Sequence, residues 1–402
     1  MENLPSIQQI IFEQVKKAKD DPLELGFTLH VFFNTFQRHP DNGCVTLEQR
    51  LALFDMGLWE FAVPLLSAYN DNIDIRRWIW RIFRDSIAIC DNENPQEFET
   101  VDLDMERNVL ELMICELDKS PQCETLLFSI FSTLTSICLV TKHCEEVVKS
   151  GIVSRCIDAV HADYPAELTT SGLGSLKNLA ICPSVRKSLI QSGALEVSVR
   201  KLYHLQSQVM GELKLGLCAA SLICRLFEGQ EDGPITDIVT ETVELVLQRF
   251  HWLLDEVLRV GPLVIGSIWN PANIVMDIAF LAQADKNKRY MVSFVPLLVR
   301  ALDRRRFSNA RLIRYSLDAL VAIGFDPEST IEMMRARKQI LDVLNVLDQS
   351  DDGQISLHMR QAAQVLRMQL EDLGPDVLDL INGNNNGEDD GDESSLRMHE
   401  PD

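Results

Sequence analysis

LTSICLVTKHCEEVVKSGIVSRCI, residues 134–157, and LKNLAICPSVRKSLIQSGALEVSV, residues 176–199, decide the fold. The two stretches lie 42 residues apart and follow one pattern: Leu134 aligns with Leu176, Ile137 with Leu179, Val147 with Leu189 and Gly151 with Gly193. Each contains an apolar helix end, a short polar connection, a helix closing in Ser-Gly and the start of another apolar helix. The glycine suits a sharp turn, because a residue without Cβ takes positive φ at no steric cost. Self-similarity at this period marks a repeat array, in which no unit buries its apolar face alone and stacked neighbours share one core.

Working outward, weaker copies keep the pattern. FDMGLWEFAVPLLSAYNDNIDIRRWIWRIF starts at Phe54, MDIAFLAQADKNKRYMVSFVPLLVRAL at Met276, IRYSLDALVAIGFDPESTIEMMRARKQILDVLNVL at Ile313 and ISLHMRQAAQVLRMQL at Ile355. Third-helix anchors fall at Leu134, Leu176, Leu222, Leu281, Leu320 and Leu366, spaced by 42, 46, 59, 39 and 46 residues. The long gap predicts an extra amphipathic helix near 235–260. Helical spacing also opens the chain, with Ile7, Ile10, Ile11 and Val15 on one face. Breakers punctuate the apolar stretches at Asp21-Pro22, HPDNG at 39–43, Cys182-Pro183, EDGP at 231–234 and Asp326-Pro327. No sustained alternation of the strand type is present.

The best copy, SLKNLAICPSVRKSLIQSGALEVSVRKL, resembles the armadillo repeat, whose loose pattern joins an A-L-x-N-L-A-like third helix to a Gly-started second helix. HEAT repeats share the period. The resemblance covers residues 45–375 and implies an all-α, right-handed armadillo-like solenoid of about seven units. Residues 1–44 would form an N-terminal helical cap, 45–375 the array and 376–402 a disordered acidic tail. That tail reads NGNNNGEDDGDESSLRMHEPD from Asn382, with almost no apolar content.

In peptide-binding members of that family, Trp and Asn recur four residues apart on successive third helices. Asn178 stands at the Asn position, but Gly174 stands at the Trp position. The other copies place Ser136, Cys224, Ala322 and Met368 where Asn would be. Trp80 with Arg84 is the nearest approach to the pairing, and Trp78 and Trp80 face different sides of their helix. The ladder is absent, which argues against reading basic import signals by that mechanism. The expected protein-binding residues are Trp80, Arg84, Lys177 and Asn178, together with a late basic group, Arg304, Arg305, Arg306, Arg311 and Arg314.

That group belongs to residues 286–338, which hold twelve Lys and Arg against five Asp and Glu, whereas residues 388–402 hold seven acids and one Arg. A basic surface that receives an acidic partner segment is expected there, with the chain's own tail as a competing ligand. The 402-residue chain carries a formal net charge of −22. General nucleic-acid binding is excluded on that balance, since it depends on Lys and Arg neutralising phosphates.

Ten cysteines occur without a C-x-x-C pair, most of them in apolar helical context. They point to a reducing compartment, with no disulfide framework and no zinc site. The N-terminus lacks a signal-peptide pattern, and no apolar run reaches the roughly 18–20 residues of a membrane span. The expected location is the cytoplasm, with the nucleus as a second compartment. DQSDDGQISLHM, residues 348–359, follows an EF-hand loop until position 12, where Met359 replaces the bidentate acid. It reads instead as the polar turn before a third helix. P-loop, H-E-x-x-H, G-x-S-x-G and G-x-G-x-x-G motifs are missing. SGLGS at 171–175 reads as small-residue helix packing, and His143-Cys144 as a weak nucleophile pair without an orienting group. The expected function is a non-enzymatic scaffold or adaptor that needs no cofactor. The first alternative, from resemblance, is an exchange stimulator or chaperone for small or heterotrimeric GTPases. An enzyme with an unrecognised site is the remaining one.

Overall fold

The computed structural model describes residues 6–36, 45–87, 109–119, 123–162, 164–204, 210–227, 234–260, 271–303, 309–348 and 357–372. Two compact units divide the chain, Met1–Leu281 and Ala282–Asp402.

Unit 1 opens with α1 (Ile7–Lys17), started by a capping box. The Ser6 hydroxyl accepts from the Gln9 N–H at 3.2 Å, and Gln9 Oε1 accepts from the Ser6 N–H at 2.8 Å. In α2 (Pro22–Asn34) Asp21 caps the first turn and Pro22 takes N1, where its missing N–H costs nothing. Helices then come in groups. The first is α3 (Leu47–Asp55), α4 (Leu58–Ala68) and α5 (Ile73–Ile87). Next stand α6 (Val109–Lys119) and α7 (Glu124–Ile137), followed by α8 (Cys144–Lys149), α9 (Ile152–His161) and α10 (Ala166–Leu179). After these come α11 (Pro183–Gln191), α12 (Ala194–His204) and α13 (Met210–Phe227), and lastly α14 (Pro234–Val260) and α15 (Pro271–Leu281).

Two rows emerge from the packing. Helices α2, α5, α7, α10, α13 and α15 lie side by side in that order, and α6, α9, α12 and α14 form a second row behind them. Each expected anchor of the first row, Leu134, Leu176, Leu222 and Leu281, is fully buried. The helix expected near 235–260 is α14, and it occupies a place in the second row, against α12, α13 and α15. The N-terminal segment contributes α2 as the first member of the first row.

A recurrent hydrogen bond joins neighbours in the first row. Thr133 Oγ1 on α7 shares its one proton between the Ser129 carbonyl of its own helix at 2.8 Å and the Trp80 carbonyl on α5 at 3.3 Å. Asn178 Nδ2 on α10 donates to the Thr135 carbonyl on α7 at 2.9 Å. Arg225 Nη1 on α13 donates to the Lys177 carbonyl on α10 at 3.1 Å. A helical carbonyl has a second lone pair free for such a bond. Small residues permit the approach: on α10, Gly172, Gly174 and Ser175 are buried. A Cβ on Gly172 would stand 3.3 Å from the Cys156 carbonyl of α9, and Ser175 Oγ donates to the Phe131 carbonyl of α7 at 3.2 Å. The SGLGS stretch is thus a packing element.

Two buried ion pairs add to the rungs. Arg225 Nε donates to Asp277 Oδ1 on α15 at 3.1 Å, and the Ser221 hydroxyl donates to the same carboxylate. Arg76 on α5 pairs with Glu116 on α6 at 2.7 Å. Burial outweighs the arginine there and holds the Glu116 carboxyl above its usual range.

Unit 2 repeats the pattern with α16 (Asp285–Lys288), α17 (Val295–Ala301), α18 (Ala310–Ile323), α19 (Pro327–Arg335), α20 (Arg337–Asp348) and α21 (Leu357–Asp372). Asn309 caps α18, and Asp326 with Pro327 starts α19. Helix α18 packs on α17 and α21, and its anchor Leu320 and the α21 anchor Leu366 are fully buried. Gln369 Nε2 on α21 donates to the Val321 carbonyl on α18 at 3.3 Å, the rung of unit 1 again. Met359 is buried in α21, while residues 349–356 of the EF-hand-like stretch and 373–402 of the acidic tail lie outside the described residues. Among the described residues, no single helix is long and apolar enough to cross a membrane.

Gly57, Gly151 and Gly193 each sit between a first and a second helix, with φ of 72°, 81° and 92°. A Cβ at Gly151 or Gly193 meets nothing within 4 Å, so only the left-handed backbone penalises a side chain there. Gly151→Ala and Gly193→Ala should each cost about 1–2 kcal/mol. Gly26→Ala, inside α2 with open space around it, should gain about 0.5–1 kcal/mol. Asp277→Ala strands a buried guanidinium and should cost about 3–5 kcal/mol. Urea midpoints of the four variants measure all of these differences.

Candidate protein-binding groove

Helix α5 begins IDIRRWIWRIFRDSI from Ile73, and its helical spacing sorts the side chains. Ile75, Ile79, Trp80, Ile82, Phe83 and Ile87 turn inward. Arg77, Arg81 and Arg84, at i, i+4 and i+7, share one face. The adjacent Arg76 takes the opposite role and is spent on Glu116.

The three arginines line a cavity of about 300 Å³ that crosses α5, α7 and α10. Glu124 and Glu167, from the first turns of α7 and α10, line it too, with Phe128, Pro165 and Leu168 supplying apolar surface. Acids belong in those first turns on helix-dipole grounds alone, so the negative part of the lining follows from how α7 and α10 start. The arginines are held in place by their neighbours. Arg77 pairs with Asp74 at 3.1 Å, and Arg84 Nε donates to Asp85 Oδ1 at 2.6 Å. The Arg81 guanidinium lies 4.8 Å from the Phe33 ring centre and 4.7 Å from that of Trp78. Trp78 in turn stacks on His30 at 4.7 Å. Stacking on the two rings fixes the plane of the Arg81 guanidinium.

The structure divides the sequence-predicted residues. Arg84 lines the cavity. Trp80 does not: it is fully buried, its ring packed edge-on against Phe83, and it cannot anchor a partner. Asn178 is buried with its amide donating to the Thr135 carbonyl, so the residue that matched the ligand-binding position is a rung of the stack. Lys177 is half-buried on α10 outside the cavity lining, and its carbonyl receives Arg225. In unit 2, Arg311 and Arg314 are exposed on α18, and Arg314 stands 3.8 Å from Asp318. Arg304, Arg305 and Arg306 lie outside the described residues. Sequence reading missed Arg77, Arg81, Glu124, Phe128 and Glu167. The Arg77-Arg81-Arg84 spacing was the signal available for the first two.

His143-Cys144 fails as a nucleophile pair. Burial pushes the Cys144 thiol up to about 12, and its sulfur faces the Cys138 and Val140 carbonyls at 3.7 and 3.8 Å. Burial likewise raises Cys138, Cys156, Cys218 and Cys224, with Cys156 at about 12.

No family model matches the chain, and no curated protein matches it in sequence. Among solved structures it is similar to a designed armadillo repeat protein, over 64% of this chain and 98% of that one, at 18% identity and a TM-score of 0.46. A designed armadillo repeat protein in complex with the peptide (KR)4 matches over 64% and 98%, at 18% identity and a TM-score of 0.42. A structure from a study of a phosphorylation switch between cadherin and beta-catenin matches over 90% and 75%, at 12% identity and a TM-score of 0.48. The two rows of helices themselves set the class, an all-α stack of helical repeats.

Native alkylation at pH 7.5 should modify Cys115, which is exposed, and more slowly the part-exposed Cys123 and Cys182. Cys138, Cys144, Cys156, Cys218 and Cys224 should react only after denaturation, because the thiolate is the nucleophile. Mass-spectrometric mapping with and without urea gives the readout.

Proposed function

We propose that this chain is a non-enzymatic protein-interaction scaffold whose α5–α7–α10 groove takes a partner segment with an acidic residue beside an apolar one. The observation behind this reading is the bipolar cavity. Arg77, Arg81 and Arg84 bring positive charge to the lining, Phe128 and Leu168 offer apolar contact, and Glu124 with Glu167 favours a basic residue elsewhere on the segment. Guanidinium forks suit carboxylates, and complementary charge selects register more than it adds affinity. The proposed setting is the reducing cytoplasm, with the nucleus as a second compartment. The buried thiols of Cys138, Cys144, Cys156, Cys218 and Cys224, used as packing residues, fit that setting.

The test uses the full chain against a displayed library of random twelve-residue peptides. Selected sequences should carry an Asp or Glu beside a large apolar residue. Their affinity should fall at least tenfold, about 1.4 kcal/mol, in an Arg81→Glu/Arg84→Glu double variant. Raising salt from low to high should weaken the unmodified complex more than the variant complex. Peptides that bind both chains equally would overturn the groove assignment. Stimulated nucleotide release from a panel of GTPases, abolished by the same double variant, would place a GTPase in the groove as the folded partner.

A further inference from the structure

Helix α21, in unit 2, has two unlike sides. Met359, Ala363, Leu366 and Leu370 are buried on one of them, and the helix packs on α18 and α20. The opposite face carries Leu357, Gln361, Gln364, Val365 and Met368, at i, i+4, i+7, i+8 and i+11. Leu357 is 73% exposed, Val365 41% and Met368 54%, and every residue of this stripe is uncharged. Helix α10, by contrast, has third helices on both sides, α7 and α13. The outermost helix of a repeat stack needs a water-tolerant outer face, and three bare aliphatic side chains do not provide one.

The chain just beyond α21 carries matching apolar residues. Residues 373–402 lie outside the described residues, and their sequence is uneven. Gly374 and Pro375 follow the end of α21 as a helix stop. Val377, Leu378, Leu380 and Ile381 come next, whereas from Asn382 onward Leu396 and Met398 are the large apolar residues. We propose that residues 376–381, DVLDLI, turn back at Gly374-Pro375 and cover the exposed stripe of α21. Reach is sufficient. The stripe from Leu357 to Met368 is about 16 Å long at a rise of about 1.5 Å per residue, and residues 373–381 extend to about 30 Å. Charge agrees as well: Arg360 and Arg367 border one edge of the stripe, at i and i+7, and the segment brings Asp376 and Asp379. The tether selects this occupant over a second copy of the chain, because a short linker holds its segment at an effective concentration of order millimolar. The polar residues from Asn382 onward stay outside the contact.

Thermolysin cleaves before large apolar residues, so the full chain holds its own control. Cleavage before Leu378 and Leu380 should run about tenfold slower than cleavage before Leu396, which corresponds to docking by about 1.4 kcal/mol. Met368→Asp should raise the first two rates to the third. The melting midpoint should fall by several degrees in Met368→Asp and in Leu378→Asp/Ile381→Asp. The combined variant should lose little more than either alone, because both remove the same contact. Met368 points away from the core, and circular dichroism confirms that each variant is folded. Equal cleavage before Leu378 and Leu396 would overturn the proposal, as would a melting midpoint that Met368→Asp leaves unmoved. A concentration-dependent dimer that Met368→Asp abolishes, with Leu378 cut as fast as Leu396, would assign the stripe to a second copy and overturn it too.

Discussion

A side chain on one third helix donates to a backbone carbonyl of the third helix before it. Thr133 to Trp80, Asn178 to Thr135, Arg225 to Lys177 and, in unit 2, Gln369 to Val321 are four instances of this bond, made by four different residue types. The Thr135, Lys177 and Val321 carbonyls lie in the last turns of their helices, where carbonyls lack an intrahelical partner, so the donor must reach each one at a particular height along the axis. Apolar packing between helices tolerates sliding by part of a turn far better than a hydrogen bond does. The rungs therefore set the register that the leucine anchors alone would leave loose. Hydrogen bonds of this kind contribute about 1 kcal/mol net, but leaving the same donor buried and unsatisfied costs about 1–3 kcal/mol. Their larger effect is on the slipped arrangements they penalise.

Close approach is the condition for such bonds, and it explains the composition of α10. Gly172, Gly174 and Ser175 bring the α10 backbone near α9 and α7, close enough for Ser175 to reach the Phe131 carbonyl and Asn178 that of Thr135. One step along the row the donor is longer. Arg225 crosses from α13 to α10 and is balanced by Asp277, whose carboxylate also receives Ser221. A buried guanidinium needs that carboxylate, because an ion without a partner is far costlier than the pair.

The repeat was legible because it depends on apolar spacing and on one backbone conformation. Leu134, Leu176, Leu222, Leu281, Leu320 and Leu366 are all fully buried, and Gly151 and Gly193 both have positive φ, as their alignment implied. The groove was less legible because residue type does not state direction. Asn178 matches a ligand-binding position, yet its amide is turned along the stack toward Thr135. Trp80 and Trp78 are two residues apart on α5, and only packing decides that Trp80 is core while Trp78 stacks on His30 near the groove wall. Arg76 and Arg77 are adjacent and identical in type, yet one is buried on Glu116 and the other faces the cavity. Glu124 and Glu167 are first-turn acids, and they share one lining only because α7 and α10 lie side by side.

Stacking and binding therefore compete for the same polar positions on the third helices. A polar side chain that reaches back to a neighbouring carbonyl is removed from the surface, which is the fate of Thr133, Asn178 and Arg225. What is left to meet a partner is the face of each third helix turned away from its rung. On α5 that face carries three arginines, while on α10 the corresponding stretch is shortened to glycine and serine for the sake of close approach. Under the proposed function, uneven division of this kind puts specificity at the α5 end of the row. A repeat array can thus keep a uniform core and still present a distinct binding site, because the positions freed from stacking differ from one repeat to the next.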